Sequence, residues 1–306
     1  QTRVTLIVDR TQVAPGASFL AGLSFELKPG WHTYWRTSGD SGLPAEVKWT
    51  LPPGVTAGPI QWPPPSRVPT GDLMNFGYES GVVLPVSLSV ENTAPLGATE
   101  LKVHAAWLAC AEICIPEEGD FSVPITVVSA AASPSGPDAE ALRTSQEKIP
   151  KPAPWPVALS YDDNELQLAA GPGLDTANIA AAEFFPDGDG VIVNAAPQTM
   201  KVRGDRLTLL LAPGKSRIAA ATGVLVIADK AGARIGYEIS APVTPSAAGQ
   251  GGDVTIWLAI VFAFLGGVIL NAMPCVLPVL VMKVVAITGQ PATSLRRDSL
   301  IYAAGV

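Results

Sequence analysis

The run from Val254 to Met282 contains no Asp, Glu, Lys or Arg over 29 residues, and it constrains the chain more than any other feature. Its one strongly polar side chain is Asn271, with Thr255 near its start. A helix crossing the hydrocarbon layer takes about 20 apolar residues, so residues 254–289 are expected to form a first transmembrane segment. Pro274 and Pro278 should break that helix in its second half. In lipid, an interrupted backbone is tolerated only where protein or a water-lined cavity satisfies its polar groups. The stretch Asn271 to Pro278 should therefore face the inside of a multi-helix bundle. Arg296 and Arg297 place the loop 290–298 in the cytoplasm by the positive-inside tendency, and residues 1–252 on the opposite side. Residues 299–306 read as the opening of a second, truncated transmembrane helix, so the chain is expected to be the N-terminal part of a larger membrane protein.

The residues before this run have a different character. Only three basic and two acidic residues follow Gly252, which leaves 17 and 25 before it and a net charge of −8 there. An acidic chain without a basic run is a poor nucleic-acid binder. At 48% hydrophobic and 15% charged residues the whole is too apolar for disorder. Its 29 Gly and 29 Pro favour many short strands and turns. Two His and three Cys cannot build several metal sites, and no cofactor or metal is expected.

Strand signals follow from the first residues. Val4, Leu6 and Val8 alternate with polar neighbours, and Phe19, Ala21, Leu23, Phe25 and Leu27 repeat the two-residue period that turns one face to a core. Val82–Val90 and Leu101–Trp107 do the same, with Pro-Gly and Ser-Gly turns between. Residues 1–130 are expected to form an antiparallel sandwich. Residues 131–156 read as a linker with a short helix over Asp138–Ile149, started at Pro137-Asp138 and stopped by Pro150. Residues 157–243 read as a second β-sandwich, with strands including Val157–Tyr161, Glu165–Ala170, Ala181–Phe185, Val191–Asn194, Thr199–Val202, Arg206–Leu211, Gly223–Ala228 and Arg234–Ser240. This half holds neither Cys nor His, which suits a spacer or docking surface. Residues 244–253 form a small-residue tether. The fold class is thus mainly β: two sandwich domains in tandem, then a proline-broken transmembrane helix.

Chemistry concentrates on the cysteines. Cys110 and Cys114 have three residues between them in a segment flanked by Trp107 and Pro116, close enough for a turn to join their sulfurs. A loop this short restricts the unfolded chain least, so a purely stabilising staple gains little here, and a domain of about 130 residues does not need one. Redox exchange explains the pair better. A structural disulfide in a binding module and a soft-metal site for copper remain the other readings, although no Met or His is spaced to complete a metal shell. Glu112, Glu117 and Glu118 crowd the pair and disfavour thiolate, so the pair suits exchange with an already activated partner thiol. Cys275 sits between two prolines in the membrane run and has no nearby partner.

The residues then match a known family. The chain resembles the DsbD/ScsB-type transmembrane thiol–disulfide reductases, nearest to the ScsB-like branch. The resemblance is carried by Gly30–Arg36 (Gly-Trp-His-Thr-Tyr-Trp-Arg), Gly39–Pro44, Trp62–Pro65, Asn75–Glu79, Cys110–Pro116 and Met273–Pro278. The resemblance implies immunoglobulin-like sandwich domains and an electron relay across the bacterial inner membrane, with residues 1–252 periplasmic. Cytoplasmic thioredoxin reduces a membrane cysteine pair; that pair reduces a C-terminal thioredoxin-like donor domain, absent from this sequence. The donor reduces the N-terminal domain, which passes electrons to periplasmic thioredoxin-fold or disulfide isomerase-like substrates. On this sequence Cys110 and Cys114 match the N-terminal redox pair, at a spacing shorter than in DsbD, and Cys275 matches the first membrane cysteine. Cys114 is the expected point of attack by the donor. The family also carries a cap loop that shields its cysteines, which falls here on Asp72–Tyr78. Leu73, Met74, Phe76 and Tyr78 are its candidate covering residues, with Phe76, or Leu73 and Met74, over the sulfurs.

Overall fold

Alternating apolar residues become strands throughout the first 130 residues. In the computed structural model, which describes residues 1–130, 133–162, 165–215, 218–245 and 263–265, they are β1 (Thr2–Val8), β2 (Gln12–Val13), β3 (Ser18–Leu27), β4 (Thr33–Gly39), β5 (Glu46–Thr50), β6 (Val55–Ile60), β7 (Ser66–Thr70), β8 (Leu73–Tyr78), β9 (Val82–Val90), β10 (Gly97–Cys110) and β11 (Cys114–Val127). One sheet has the order β1-β3-β9-β6 and a second the order β2-β11-β10-β5, while β4, β8 and β7 form a smaller third sheet. Between the first two lies the core. Phe19, Ala21, Leu23 and Phe25 of β3, Leu84 and Leu88 of β9, and Leu101, Val103, Ala105 and Trp107 of β10 all point into it. The two-residue period of each strand is what places these side chains on one face.

The segment expected as a linker lays a helix on this sandwich. α1 (Gly136–Lys148) buries Ala139, Leu142 and Ser145. Ser145 Oγ donates to the Val83 carbonyl at 2.7 Å. A Cβ at Gly22 of β3 would lie 2.8 Å from Leu142 Cδ2 and 2.8 Å from the Leu84 carbonyl oxygen. Glycine is thus what allows helix and sheet to approach. The helix starts behind Pro137 in its first turn, where a missing N–H costs nothing.

The remaining strands are β12 (Lys151–Pro152), β13 (Val157–Asp162), β14 (Glu165–Ala170), β15 (Ile179–Pro186), β16 (Thr199–Arg203), β17 (Arg206–Leu211), β18 (Ala220–Asp229) and β19 (Arg234–Pro245). They run in the order β15-β18-β19-β13-β14-β17-β16, with β12 alongside β19. β19 serves three neighbours: Arg234–Pro242 pairs β18, Val243–Pro245 pairs β13, and Tyr237 and Glu238 pair β12. A second cluster fills this half, with Leu159, Leu166, Leu168, Leu207, Leu209 and Leu211 meeting Phe184, Leu225, Ile227 and Ile239. Val191–Asn194, expected as a strand, makes only an isolated bridge from Ile192 to Pro213. Val191 and Ile192 are still buried in the second cluster, so an apolar run here signals burial without a ladder.

Residues Gln1–Ser246 make one compact unit. Phe185, Val224 and Val226 from its second half belong to the first half's core. Polar contacts reinforce the junction: Arg67 Nη2 donates to the carbonyls of Asn194 and Ala196 at 2.6 and 2.8 Å, and Arg36 pairs with Asp187 at 2.8 Å. The expected membrane segment lies outside the described residues apart from 263–265, which are helical, as do Cys275 and residues 290–306. Among the described residues no helix is long and apolar enough to cross a membrane.

Candidate functional site

The β10–β11 hairpin builds the site. Its register runs from Gly97 opposite Val127 to Cys110 opposite Cys114, so the last pair of the ladder is the cysteine pair itself. The two Cα atoms are 4.1 Å apart and the sulfurs are bonded at 2.02 Å. Ala111 N–H closes the turn on the Ile113 carbonyl at 3.0 Å. The two sulfurs are unequal in access: Cys110 is 1% exposed, whereas Cys114 is exposed.

The other edge of Cys110 belongs to His32. The two residues exchange both backbone hydrogen bonds, His32 N–H to the Cys110 carbonyl at 2.9 Å and Cys110 N–H to the His32 carbonyl at 3.0 Å. Directly opposed residues project on the same face of a sheet, so the His32 ring and both sulfurs share one side. His32 is buried, and its Nε2 is without a hydrogen-bond partner among the described residues. Burial pushes its pKa below the ordinary histidine value, and the Glu79 charge pulls it partly back.

Tyr34, two residues along and on the same face, touches the sulfur of the exposed Cys114. Its hydroxyl lies 3.6 Å from Cys114 Sγ, and its ring meets His32 edge-on at 5.3 Å. Burial raises the phenol pKa, opposed by a hydrogen bond with Ser41. Gly42, at φ +92°, lies flat on that ring, where a Cβ would fall 2.1 Å from Tyr34 Cζ. The loop carrying Ser41 and Gly42 is tied to β8. Asn75 Oδ1 accepts from Ser41 N–H at 3.2 Å and Ser41 Oγ at 2.9 Å, and Asp40 Oδ2 accepts from Met74 N–H at 2.8 Å. Asn75 is buried, and its Nδ2 donates to Thr70 Oγ1.

The candidate covering residues are placed as follows. Phe76 is 1% exposed and packs edge-on against Phe185 at 5.0 Å, inside the first core. Tyr78 is buried and donates to the Pro63 carbonyl at 2.7 Å. Met74 is half-buried against the core, and Leu73 is exposed at the β7–β8 turn. The side-chain contact to a sulfur comes from Tyr34. Sequence alone marks neither it nor His32 as a site residue, although both lie in the Gly30–Arg36 motif at a spacing of two. The acidic crowding also thins out. Glu117 accepts from the Trp107 indole at 3.1 Å, and Glu118 lies 4.0 Å from His104, which leaves Glu112 exposed in the turn. Among the described residues no cluster of His, Cys, Asp and Glu is suited to hold a metal.

Residues 4–125 match the family model described as the N-terminal domain of the thiol:disulfide interchange protein DsbD. Residues 4–125 thus carry a DsbD-type N-terminal domain. The same architecture occurs in the N-terminal periplasmic domain of ScsB from Proteus mirabilis, with a TM-score of 0.56 at 19% identity over 80% of this chain and 94% of that one. That likeness extends the shared fold beyond the span of the family model into the second β-half. Two further solved structures are only distantly similar. The E. coli chaperone DraB gives a TM-score of 0.24 at 8% identity, over 78% of this chain and 95% of that one. A family 123 glycoside hydrolase from Clostridium perfringens gives 0.24 at 7% identity, over 43% of this chain and 28% of that one. Neither bears on function. A comparison with the curated proteins returned no match. The DsbD/ScsB region and its Cys110–Cys114 disulfide together fit a thiol–disulfide electron-transfer module.

Proposed function

We propose that residues 1–246 are the periplasmic electron-transfer module of a transmembrane thiol–disulfide reductase, and that Cys110 and Cys114 cycle between dithiol and disulfide. The observation that carries this reading is the disulfide at the tip of the β10–β11 hairpin, one sulfur buried and the other presented at the surface, in a DsbD-type domain. A thioredoxin-like donor attacks Cys114 as thiolate. The Cys110–Cys114 bond breaks, and a second donor thiol resolves the mixed disulfide. The reduced pair then hands two electrons to periplasmic thioredoxin-fold substrates by the same steps in reverse. The two halves act as immunoglobulin-like sandwiches in tandem, 1–130 bearing the redox pair and 157–243 setting its place. Cys275 belongs to the membrane stage, with cytoplasmic thioredoxin as the ultimate donor. The β7–β8 hairpin acts as a cap through Asn75, which holds the Ser41–Gly42 loop on Tyr34.

Trapping tests it. With Cys110 replaced by Ser, the remaining Cys114 should capture a thioredoxin-like donor as a mixed disulfide, and Cys114→Ser should capture far less. The pair should titrate at a potential above roughly −300 mV, since structural disulfides lie below that value. Equal weak adducts from both variants, or a potential below that limit, would leave the pair a structural staple in a binding module.

A further inference from the structure

We propose that His32 is the acid–base partner of the Cys110 thiol, a step that rests on the cycling of the pair described above. Two observations and one rule of strand geometry place it there. His32 is the residue directly opposite Cys110 and exchanges both backbone hydrogen bonds with it. Cross-strand partners hold their Cβ atoms about 4.5–5.5 Å apart on one face, within reach of an imidazole. Its Nε2 is buried and without a partner among the described residues, and an unpaired buried polar atom is costly unless the site uses it.

Cys110 needs such a group and Cys114 does not. An exposed thiol exchanges its proton with water. Cys110 is 1% exposed, and a thiolate stranded there has lost its hydration. In the step that returns the pair to disulfide, Cys114 is already joined to the substrate sulfur. His32 takes the proton from Cys110 Sγ, and the Cys110 thiolate attacks Cys114 Sγ. The Cys110–Cys114 bond forms as the Cys114–substrate bond breaks, and the substrate sulfur leaves with the electron pair. The imidazolium then gives up its proton to the leaving thiolate or to water. When a donor thiolate attacks Cys114, the proton runs the other way: His32 takes one up from water or from the ionising donor thiol and passes it to the departing Cys110 sulfur. His32 ends each half-cycle neutral, the form its burial favours. The titratable groups around it are Glu79, whose charge favours the imidazolium, the Tyr34 phenol edge-on to its ring, and Cys110.

The test is ring closure in the reduced full chain, mixed with a chromogenic aromatic disulfide across pH 5–9. Cys114 attack releases a first chromophore and Cys110 attack a second; Cys110→Ser lacks the second phase and identifies it. The second phase should be at least about tenfold slower at neutral pH in His32→Gln, general bases contributing on the order of 10²–10⁴. Its inflection should also move up toward the ordinary thiol value of about 8.5. Glu79→Gln should move the wild-type inflection down, because the charge that favours imidazolium is gone. If His32→Gln fails to fold, the Glu79→Gln shift decides: a shifted inflection supports the assignment and an unmoved one overturns it. Coincident profiles for wild type and His32→Gln overturn it alone, with the redox reading intact. Absence of a second phase in wild type overturns the redox reading and this assignment with it.

Discussion

The Phe76 ring stands edge-on to that of Phe185, centroids 5.0 Å apart and planes at 81°. One comes from the β7–β8 hairpin and the other from β15, 109 residues later, and both are essentially inaccessible. Trp35 completes the group, 6.2 Å from Phe185. This contact joins the two halves of the unit through shared core.

Replacing either ring by Ala should therefore cost about 3–5 kcal/mol, the usual range for a buried aromatic. The pair should couple by about 0.5–1.5 kcal/mol in a double-mutant cycle. Denaturant unfolding of the two single variants and the double variant measures both. A Phe76→Ala variant of unchanged stability whose disulfide reacts faster with small thiols would instead make Phe76 a lid.

Covering of the sulfur should depend on Tyr34. Tyr34→Ala removes the group that touches Cys114 Sγ and should speed reduction by glutathione several-fold, whereas Tyr34→Phe keeps the ring and most of the protection. Asn75→Ala should act in the same direction as Tyr34→Ala, since it frees the Ser41–Gly42 loop that rests on the ring. Pseudo-first-order reduction rates read the order of the three variants.

Two arginines at the junction should differ in weight. Arg67 gives one nitrogen to two carbonyls of the other half, and hydrogen bonds from a charged group contribute about 1.5–3 kcal/mol. The Arg36–Asp187 pair is about one-third exposed on each side, and solvent-screened pairs contribute about 0–1 kcal/mol. Arg67→Ala should thus destabilise more than Arg36→Ala, and thermal melts of the two variants check the ranking.

Acid should weaken the fold through His32. Its folded pKa lies below 6.5 because burial disfavours the imidazolium. Below pH 6.5 the unfolded chain binds a proton that the folded chain refuses, so stability falls as pH drops from 6.5 to the folded value and then levels. His32→Gln should flatten that part of the curve. Melting temperatures between pH 4 and 8, compared for wild type and variant, give the difference directly.

The two-residue period in Phe19–Leu27, Val82–Val90 and Leu101–Trp107 already determines which side chains face a core, because strand geometry is local. The same locality makes the Cys110–Cys114 disulfide legible: a hairpin turn joins residues four apart without help from the rest of the chain. Pro137 and Pro150 likewise bound the helix by their missing N–H groups. None of this tells what the helix sits on, or that Phe185 enters the first half's core, since both depend on contacts between residues scores of positions apart. The site divides along the same line. His32 and Tyr34 share a face by their spacing, which sequence contains, but nothing in the sequence aligns that face with Cys110. Only the bridge between β4's entry and the end of β10 sets the buried His32 beside Cys110 and brings the Tyr34 phenol to the Cys114 sulfur. Long-range pairing set that register, as it set Phe76 inward against Phe185 and left the exposed sulfur to Tyr34.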